Sequence, residues 1–186
     1  MKAVTTLSKI RAQSPCTSGW TTLLKGLGKT AADDEPLELV RVLEINGLYD
    51  ALWALRACDG IDKAARLFAC DMAASVVHLT NDARCDTAIA VARRFAHGTA
   101  TSDELAAAWA AAWDAAWAAD GNAAWAAARA AAWAAAGNAA RAAARAAAWA
   151  AAGNAAGDLF RARFGQDGDP DEIVVKIDGL IRGGAK

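Results

Sequence analysis

The sequence lacks the short motifs that mark most enzyme and metal sites. It contains no Gly-x-Ser-x-Gly segment and no glycine-rich phosphate loop after a strand. Its four cysteines include no CxxC pair. The residues that could ligate zinc are spaced too widely and irregularly for such a site: Cys70, His78, Cys85 and His97. The sequence therefore predicts a protein that is not an enzyme and that holds no metal or cofactor.

The sequence also lacks an excess of one charge and a strongly apolar run. Its 20 basic residues oppose 21 acidic ones, so the net charge is −1 and no overall field attracts nucleic acid. The N-terminal residues lack the apolar centre of a signal peptide. Charged residues interrupt the alanine-rich stretch that would otherwise suggest a membrane span. We expect a cytoplasmic protein with buried, reduced thiols that binds neither a nucleic acid polymer nor a membrane.

What the sequence has in abundance is alanine, interrupted at every fourth position between residues 109 and 161. Alanine is the strongest helix former and tryptophan the largest contact residue, so this pattern predicts helices that carry bulky side chains at short intervals. The interrupting residues are Trp109, Trp113, Trp117, Gly121, Trp125, Arg129, Trp133, Gly137, Arg141, Arg145, Trp149, Gly153, Gly157 and Arg161. Codons for Trp, Arg and Gly can differ by one base, so slippage during replication is an alternative origin for many of these positions.

A longer repeat of 16 residues is superimposed on this spacing. Segments that start at Trp117, Trp133 and Trp149 each end in a Gly-Asn pair. Four residues turn a helix by about 400°, so the marked positions would wind around one straight helix and could not share a face. Gly and Asn tolerate the conformation that ends helices. We therefore expect three or four short helices folded back on one another. One long helix with destabilising glycines is the alternative.

Residues 1–100 have a more varied composition with ordinary helix signals. Ser18 is the predicted cap of an early helix, and Asp33-Asp34-Glu35-Pro36 predicts another helix start. Asn46-Gly47 predicts a helix end, and Thr101 with Glu104 forms a capping box. No convincing strand pair is visible. The predicted fold is an all-α multi-helix bundle with a C-terminal Ala/Trp-rich helical repeat region.

Three segments are predicted to make one folded unit. They are a conventional helical part over residues 1–100, the 16-residue Ala/Trp-rich repeats over residues 101–164, and a C-terminal helix over residues 165–186. Asp169 and Pro170 are the expected start of that last helix.

Two non-repetitive stretches carry a resemblance to a known family. They are Phe68-Ala-Cys-Asp-Met-Ala-Ala-Ser-Val-Val-His78-Leu and Asp86-Thr-Ala-Ile-Ala-Val-Ala-Arg-Arg-Phe-Ala-His-Gly98, followed by the Ala-rich tail. With the earlier Cys16-Thr-Ser-Gly-Trp20 segment, they resemble the immunity-protein-like family of bacteria and phages. The resemblance covers most of residues 7–165. The tail departs from the family in its abundance of Trp and Gly-Asn, where more Tyr and fewer breaks are expected.

This resemblance implies a protein that neutralises a toxin by binding, without chemistry of its own. In a phage it implies neutralisation of a host defence, either by binding a defence protein or by sequestering a small signal such as a nucleotide. These functions are implied by the resemblance alone. Composition and periodicity do not indicate them.

The strongest candidate site is formed by the tryptophans and arginines of the repeat. A Trp face can stack on a base, and an Arg fork can bind a phosphate. The predicted ligand-binding residues are Trp117, Trp125, Arg129, Trp133, Arg141, Arg145 and Trp149. The alternative is that the tryptophans are core residues and the arginines only reach towards water.

Two functions of different classes follow. The first is a non-enzymatic binding antagonist in a microbial conflict system, which sequesters a nucleotide-type immune signal or a toxin protein and forms a homo-oligomer. The second is a structural protein whose Ala/Trp helices associate with one another without a small ligand.

Overall fold

The chain forms an all-α multi-helix bundle in a computed structural model that describes residues 2–136 and 153–165, with side chains of the second segment from residue 157 onwards. The helices are α1 (Leu7–Ala12), α2 (Thr17–Leu27), α3 (Leu39–Asn46), α4 (Leu48–Ala54), α5 (Asp62–Val76), α6 (Ala83–Ala96), α7 (Ser102–Ala118), α8 (Asn122–Ala134) and α9 (Gly153–Phe164). Single 3-10 turns follow α4 at Leu55–Ala57 and α5 at Val77–Leu79. The predicted C-terminal helix over 165–186 lies outside the described residues, apart from its first residue.

Two short strands form an antiparallel pair that the sequence did not reveal. Strand β1 (Val4–Thr5) pairs with β2 (Leu37–Glu38), in the register Val4 to Glu38 and Thr5 to Leu37. The expectation that the chain has no strand pair was therefore wrong. A two-residue strand has no alternation to detect, and its partner lies more than thirty positions away in the chain.

The helix predicted to start at residues 33–36 is present as α3, but it begins later than predicted, at Leu39. Asp33 and Glu35 do not cap a helix but bind the ammonium of Lys29, at 2.5 and 2.7 Å. Proline restricts the residue before it to extended backbone, so Pro36 disfavours a helix that runs through Glu35. Here the acidic residues hold a turn together.

Several local signals were read correctly. α3 ends at Asn46, and Gly47 adopts a positive φ of 83° before α4. Thr101 and Glu104 form both halves of the predicted capping box at the start of α7.

The cap of α2 was assigned wrongly to Ser18, because the thiol of Cys16 accepts the Gly19 N–H instead.

The alanine-rich segment breaks at its first Gly-Asn pair. α7 ends at Ala118 and α8 begins at Asn122, with Gly121 between them at φ 92° and ψ 154°. α7 and α8 then pack against each other and against α6. The prediction of short helices folded back on one another is confirmed for residues 102–134, and one continuous helix is excluded there. The second Gly-Asn pair, at 137–138, lies outside the described residues, while α9 begins at the third pair.

The core joins both compositional regions. Phe68 of α5 contacts the rings of Phe160 and Phe164 from α9, with centroids 5.8 and 5.6 Å apart. The same cluster of buried side chains extends into the alanines of α7 and α8, such as Ala112 and Ala128. The alanine-rich helices therefore share one core with the conventional helices. None of the helices in the described segments is both long and apolar enough to cross a membrane.

Candidate functional site

The tryptophans of α7 form a row along one side of the helix. We call Trp109, Trp113 and Trp117 the tryptophan ladder. Consecutive ring centroids lie 6.2 and 6.5 Å apart. Residues four apart are neighbours on a helix surface, and the drift of about 40° per step is small enough for large rings to stay in contact. The spacing of four thus produces a continuous aromatic row within one short helix.

The middle ring of this row is the point where α8 docks. Trp133 packs on the ring of Trp113 edge to face, with centroids 5.8 Å apart and planes at 77°. The guanidinium of Arg129 lies 5.2 Å from the Trp113 ring and 4.4 Å from the Trp125 ring. Arg129 therefore bridges the two helices by stacking on a ring of each, an attraction between a cation and an aromatic face.

Four of the seven predicted ligand-binding residues lie in or next to this cluster of rings. Trp125, Arg129 and Trp133 come together on α8, and Trp117 joins them through Trp113. Arg141, Arg145 and Trp149 lie outside the described residues. Trp113 is the central member of the cluster but was not among the predicted site residues, although it occupies the same four-residue spacing. The guanidinium of Arg129 stacks on the protein's own rings, which are only partly buried.

The ladder becomes more exposed towards the end of α7. Trp109 is 41% exposed and Trp117 is 79% exposed. Asp114 and Asp120 flank Trp117 three residues on either side, and both are exposed. α7 itself contains no lysine or arginine. The exposed end of the ladder is therefore aromatic and carries two carboxylates, of which Asp114 lies within electrostatic reach of Arg84 on α6.

A buried ion network lies under this layer. The carboxylate of Asp71 in α5 is almost fully buried and binds Arg163 of α9 at 2.6 Å and Arg93 of α6 at 3.1 Å. Two guanidinium groups offset the cost of burying this carboxylate, and they tie three helices to one point. None of the three residues was predicted to form an ion pair. The signal of this network was a charged residue three positions after Phe68, on a face of α5 that is otherwise apolar.

Arg66, one turn earlier on α5, holds the end of α8. Its Nη1 donates to the carbonyl oxygens of Ala134 at 3.4 Å and Ala136 at 2.7 Å. A helix leaves its last carbonyls without partners, and a basic side chain is a favourable donor there. The guanidinium also lies 5.0 Å from the centre of the Phe95 ring. Conventional helices thus fix the position of the helix that carries Trp125, Arg129 and Trp133.

A separate cavity of about 180 Å³ lies where α2, α3 and α4 meet. Trp20 and Trp53 form apolar walls, and Asp50 and Asn46 contribute polar groups. Asn46 Nδ2 donates to the carbonyl of Gly19 and to Asp50 Oδ2, both at 2.8 Å. None of these residues was predicted to form a site. The lining comes from several helices, and no local sequence pattern specifies how those helices are arranged.

Cys16 lies at the edge of this cavity and is exposed. Hydrogen bonds from Ser18 and from the Gly19 N–H lower the pKa of its thiol. Cys70 differs, because burial raises the pKa of its thiol to about 12. All four cysteines are free thiols, and the expectation of burial is confirmed for Cys70 and Cys85 but wrong for Cys16. Cys16 is exposed because it caps a helix at the surface.

No group of three or more potential metal ligands occurs in the part of the chain that the structure describes. Comparisons with family models, with curated proteins and with solved structures find no match to the chain. The functional interpretation therefore depends on the geometry of its own residues.

Proposed function

We propose that the chain is a non-enzymatic binding antagonist of microbial conflict that neutralises a basic toxin protein by holding it on the tryptophan ladder. The observation that carries this proposal is the exposed ring of Trp117, with an exposed aspartate three residues before it and another three residues after it in the sequence. Tryptophans at the centre of a protein interface contribute a large share of binding free energy.

The exposed ring represents a large unused apolar area. Covering roughly 150 Å² of such a surface contributes about 4 kcal/mol at about 25 cal/mol per Å². Trp117 is held from one side by Trp113, at 6.5 Å between centroids. A ring that is already oriented loses less side-chain freedom when a partner covers it. Trp117 thus has the properties of an anchor residue.

The carboxylates favour a protein partner over a nucleotide. Asp114 and Asp120 repel phosphate and attract lysine and arginine side chains. Toxins that act on nucleic acids carry basic surfaces of this kind, because they bind phosphate backbones. Arg129, the residue first considered for phosphate binding, stacks on Trp113 and Trp125. A toxin therefore suits the exposed end of the ladder better than a nucleotide signal does.

The same carboxylates oppose self-association through the ladder. A two-fold dimer brings the same patch of both subunits together, so that Asp114 of one copy would lie near the acidic residues of the other. This disfavours the structural alternative in which ladders pair with one another. The free thiols fit a reducing compartment, and we propose the cytoplasm as the place of action.

Pairwise co-expression with the products of neighbouring genes tests the proposal. The chain should restore growth to bacterial cells that express one toxic neighbour. Trp117→Ala should abolish this rescue, whereas Tyr49→Ala should retain it. Tyr49 is the matched control because its ring, on α4, is 74% exposed but lies outside the ladder.

Rescue that survives Trp117→Ala, or the absence of a toxic neighbour that the chain neutralises, would contradict the proposal. Thermal stabilisation of the purified chain by cyclic or ADP-ribose-type nucleotides would also contradict it and would favour the signal-sequestering function. A mass that rises with concentration and falls in Trp117→Ala would favour self-assembly instead.

A further inference from the structure

The geometry points to a binding site for a small organic cation that carries one ring, in the cavity between α2, α3 and α4. This site uses different helices from the tryptophan ladder and does not depend on the function proposed for it. Its lining combines the apolar rings of Trp20 and Trp53 with one carboxylate, that of Asp50.

The volume of the cavity limits the ligand to about one ring. At about 180 Å³ it is slightly larger than the cavity of about 150 Å³ that accommodates benzene in a protein interior. Sites for drug-sized ligands span about 300–1,000 Å³. A nucleotide is therefore too large, whereas a benzyl group with a short amine suits the space.

The walls suit an apolar ring that carries a positive charge. Trp20 and Trp53 line the cavity, and each already stacks with an arginine of the chain. The guanidinium carbon of Arg11 lies 5.4 Å from the Trp20 ring centre, and that of Arg56 lies 4.5 Å from the Trp53 ring centre. Indole faces attract cations through their quadrupole. Arg11 and Arg56 occupy one face of each ring and do not line the cavity, so a ligand can use only the remaining ring surface.

The amide of Asn46 positions the carboxylate of Asp50 at the cavity. Asn46 donates two hydrogen bonds through Nδ2, to the carbonyl of Gly19 and to Asp50, which fixes the orientation of its amide. Its Oδ1 is then buried, with no hydrogen-bond donor in the described segments. A buried acceptor without a donor is destabilising. Because solvent does not reach this oxygen, a ligand in the cavity does not contact it, and the carboxylate of Asp50 is the group that binds an ammonium.

Asp50 supplies the charge. Within residues 2–136 and 153–165 its carboxylate takes part in no ion pair, and it accepts a hydrogen bond from Asn46 Nδ2. It also approaches α2 closely, since a Cβ added to Gly19 would lie 2.8 Å from Asp50 Oδ2. A half-buried carboxylate beside two indole rings favours a cation over a neutral or anionic ligand of the same shape.

Three ligands of one shape test this site on the unaltered chain. Benzylammonium, benzyl alcohol and benzoate are titrated at neutral pH against the ¹⁵N-labelled protein, and the indole N–H signals of Trp20 and Trp53 are followed. Benzylammonium should bind about tenfold more tightly than benzyl alcohol, because hydrogen bonds to a charged group add roughly that factor. Benzoate should bind most weakly. The signal of Trp117 should not move.

Two variants test whether the carboxylate of Asp50 is the group that prefers a cationic ligand. Asp50→Asn keeps an acceptor for Asn46 and should remove the preference for benzylammonium over benzyl alcohol. Glu44→Gln is the matched control, since it removes one carboxylate of α3 outside the cavity lining and should retain the preference. Equal binding of the three ligands, tighter binding of benzoate, or no shift at Trp20 and Trp53 would overturn the assignment. So would an unchanged preference in a folded Asp50→Asn variant.

Discussion

The two compositional regions of this chain bury opposite kinds of side chain. In α5 the large residues point inwards, and Phe68 and Met72 are fully buried. In α7 and α8 the alanines point inwards, and Ala112 and Ala128 are fully buried while Trp117 is largely exposed. Small side chains let helices approach closely. The contrast teaches that the tryptophans of α7 and α8 do not build the centre of the bundle: Trp113, Trp125 and Trp133 pack against its edge, and Trp109 and Trp117 are exposed.

The largest expected effect concerns the buried ions that join the two regions. Asp71→Ala leaves Arg163 buried without its carboxylate, and such a loss typically costs about 3–5 kcal/mol. We expect a drop of that size in the free energy of unfolding, measured by urea denaturation. Asp34→Ala, which removes an exposed carboxylate, should change it by less than about 0.5 kcal/mol. A similar effect of both variants would show that the network does not join the helices.

A second variant tests the inward alanines directly. Ala128→Leu adds three carbon atoms to a tightly packed position on α8 and should destabilise the fold by about 1–3 kcal/mol through overpacking. Ala123→Leu makes the same change at an exposed position of the same helix and should be nearly neutral. Equal tolerance of leucine at both positions would mean that alanine is not needed for the close approach of α7 and α8.

A third pair of variants tests the break between α7 and α8. Gly121 has a φ of 92°, so Gly121→Ala is strained and should destabilise the fold by about 1 kcal/mol. Gly157 lies within α9 with ordinary space around its added Cβ. There the same substitution should stabilise by about 0.5–1 kcal/mol, because alanine is the better helix former. Calorimetric melting should show opposite shifts. A stabilising Gly121→Ala would indicate a continuous helix.

The smallest expected effect belongs to the exposed end of the ladder. Trp117→Ala should change the free energy of unfolding by less than about 1 kcal/mol, because its main contact is one ring pair with Trp113. Trp133→Ala should cost about 3 kcal/mol, since that ring is mostly enclosed between the helices. Urea denaturation of both variants measures the difference. A large loss of unfolding free energy in Trp117→Ala would mean that this ring stabilises the fold, and it would contradict a role in binding alone.

Local chemistry made much of the helical architecture predictable. Residues within one turn of each other determine three of these features: the break at Gly47, the break at Gly121 and the capping box at Thr101. The strand pair between Thr5 and Leu37 and the capping thiol of Cys16 could not be anticipated in this way. The first depends on contacts distant in the chain, and the second on a residue type seldom considered as a cap.

The candidate sites were predictable only where their residues follow one periodic pattern. The spacing of four places Trp125, Arg129 and Trp133 on one helix, but it did not identify Trp113, which contacts both Arg129 and Trp133. The cavity near Asp50 has no such pattern, because Trp20, Asn46 and Trp53 come from three helices. Their proximity is a consequence of packing, which sequence spacing alone does not determine.

The most direct test is hydroxyl-radical footprinting of the isolated chain, with mass spectrometry to measure the oxidation of each tryptophan. It shows whether the outer rings of the tryptophan ladder, Trp109 and Trp117, are exposed to solvent. The account predicts that Trp117 is oxidised fastest, that Trp109 follows, and that Trp113 and Trp133 are protected. Protection of Trp117 equal to that of Trp113 in the monomer would contradict an exposed ladder and remove the surface on which the proposed function depends.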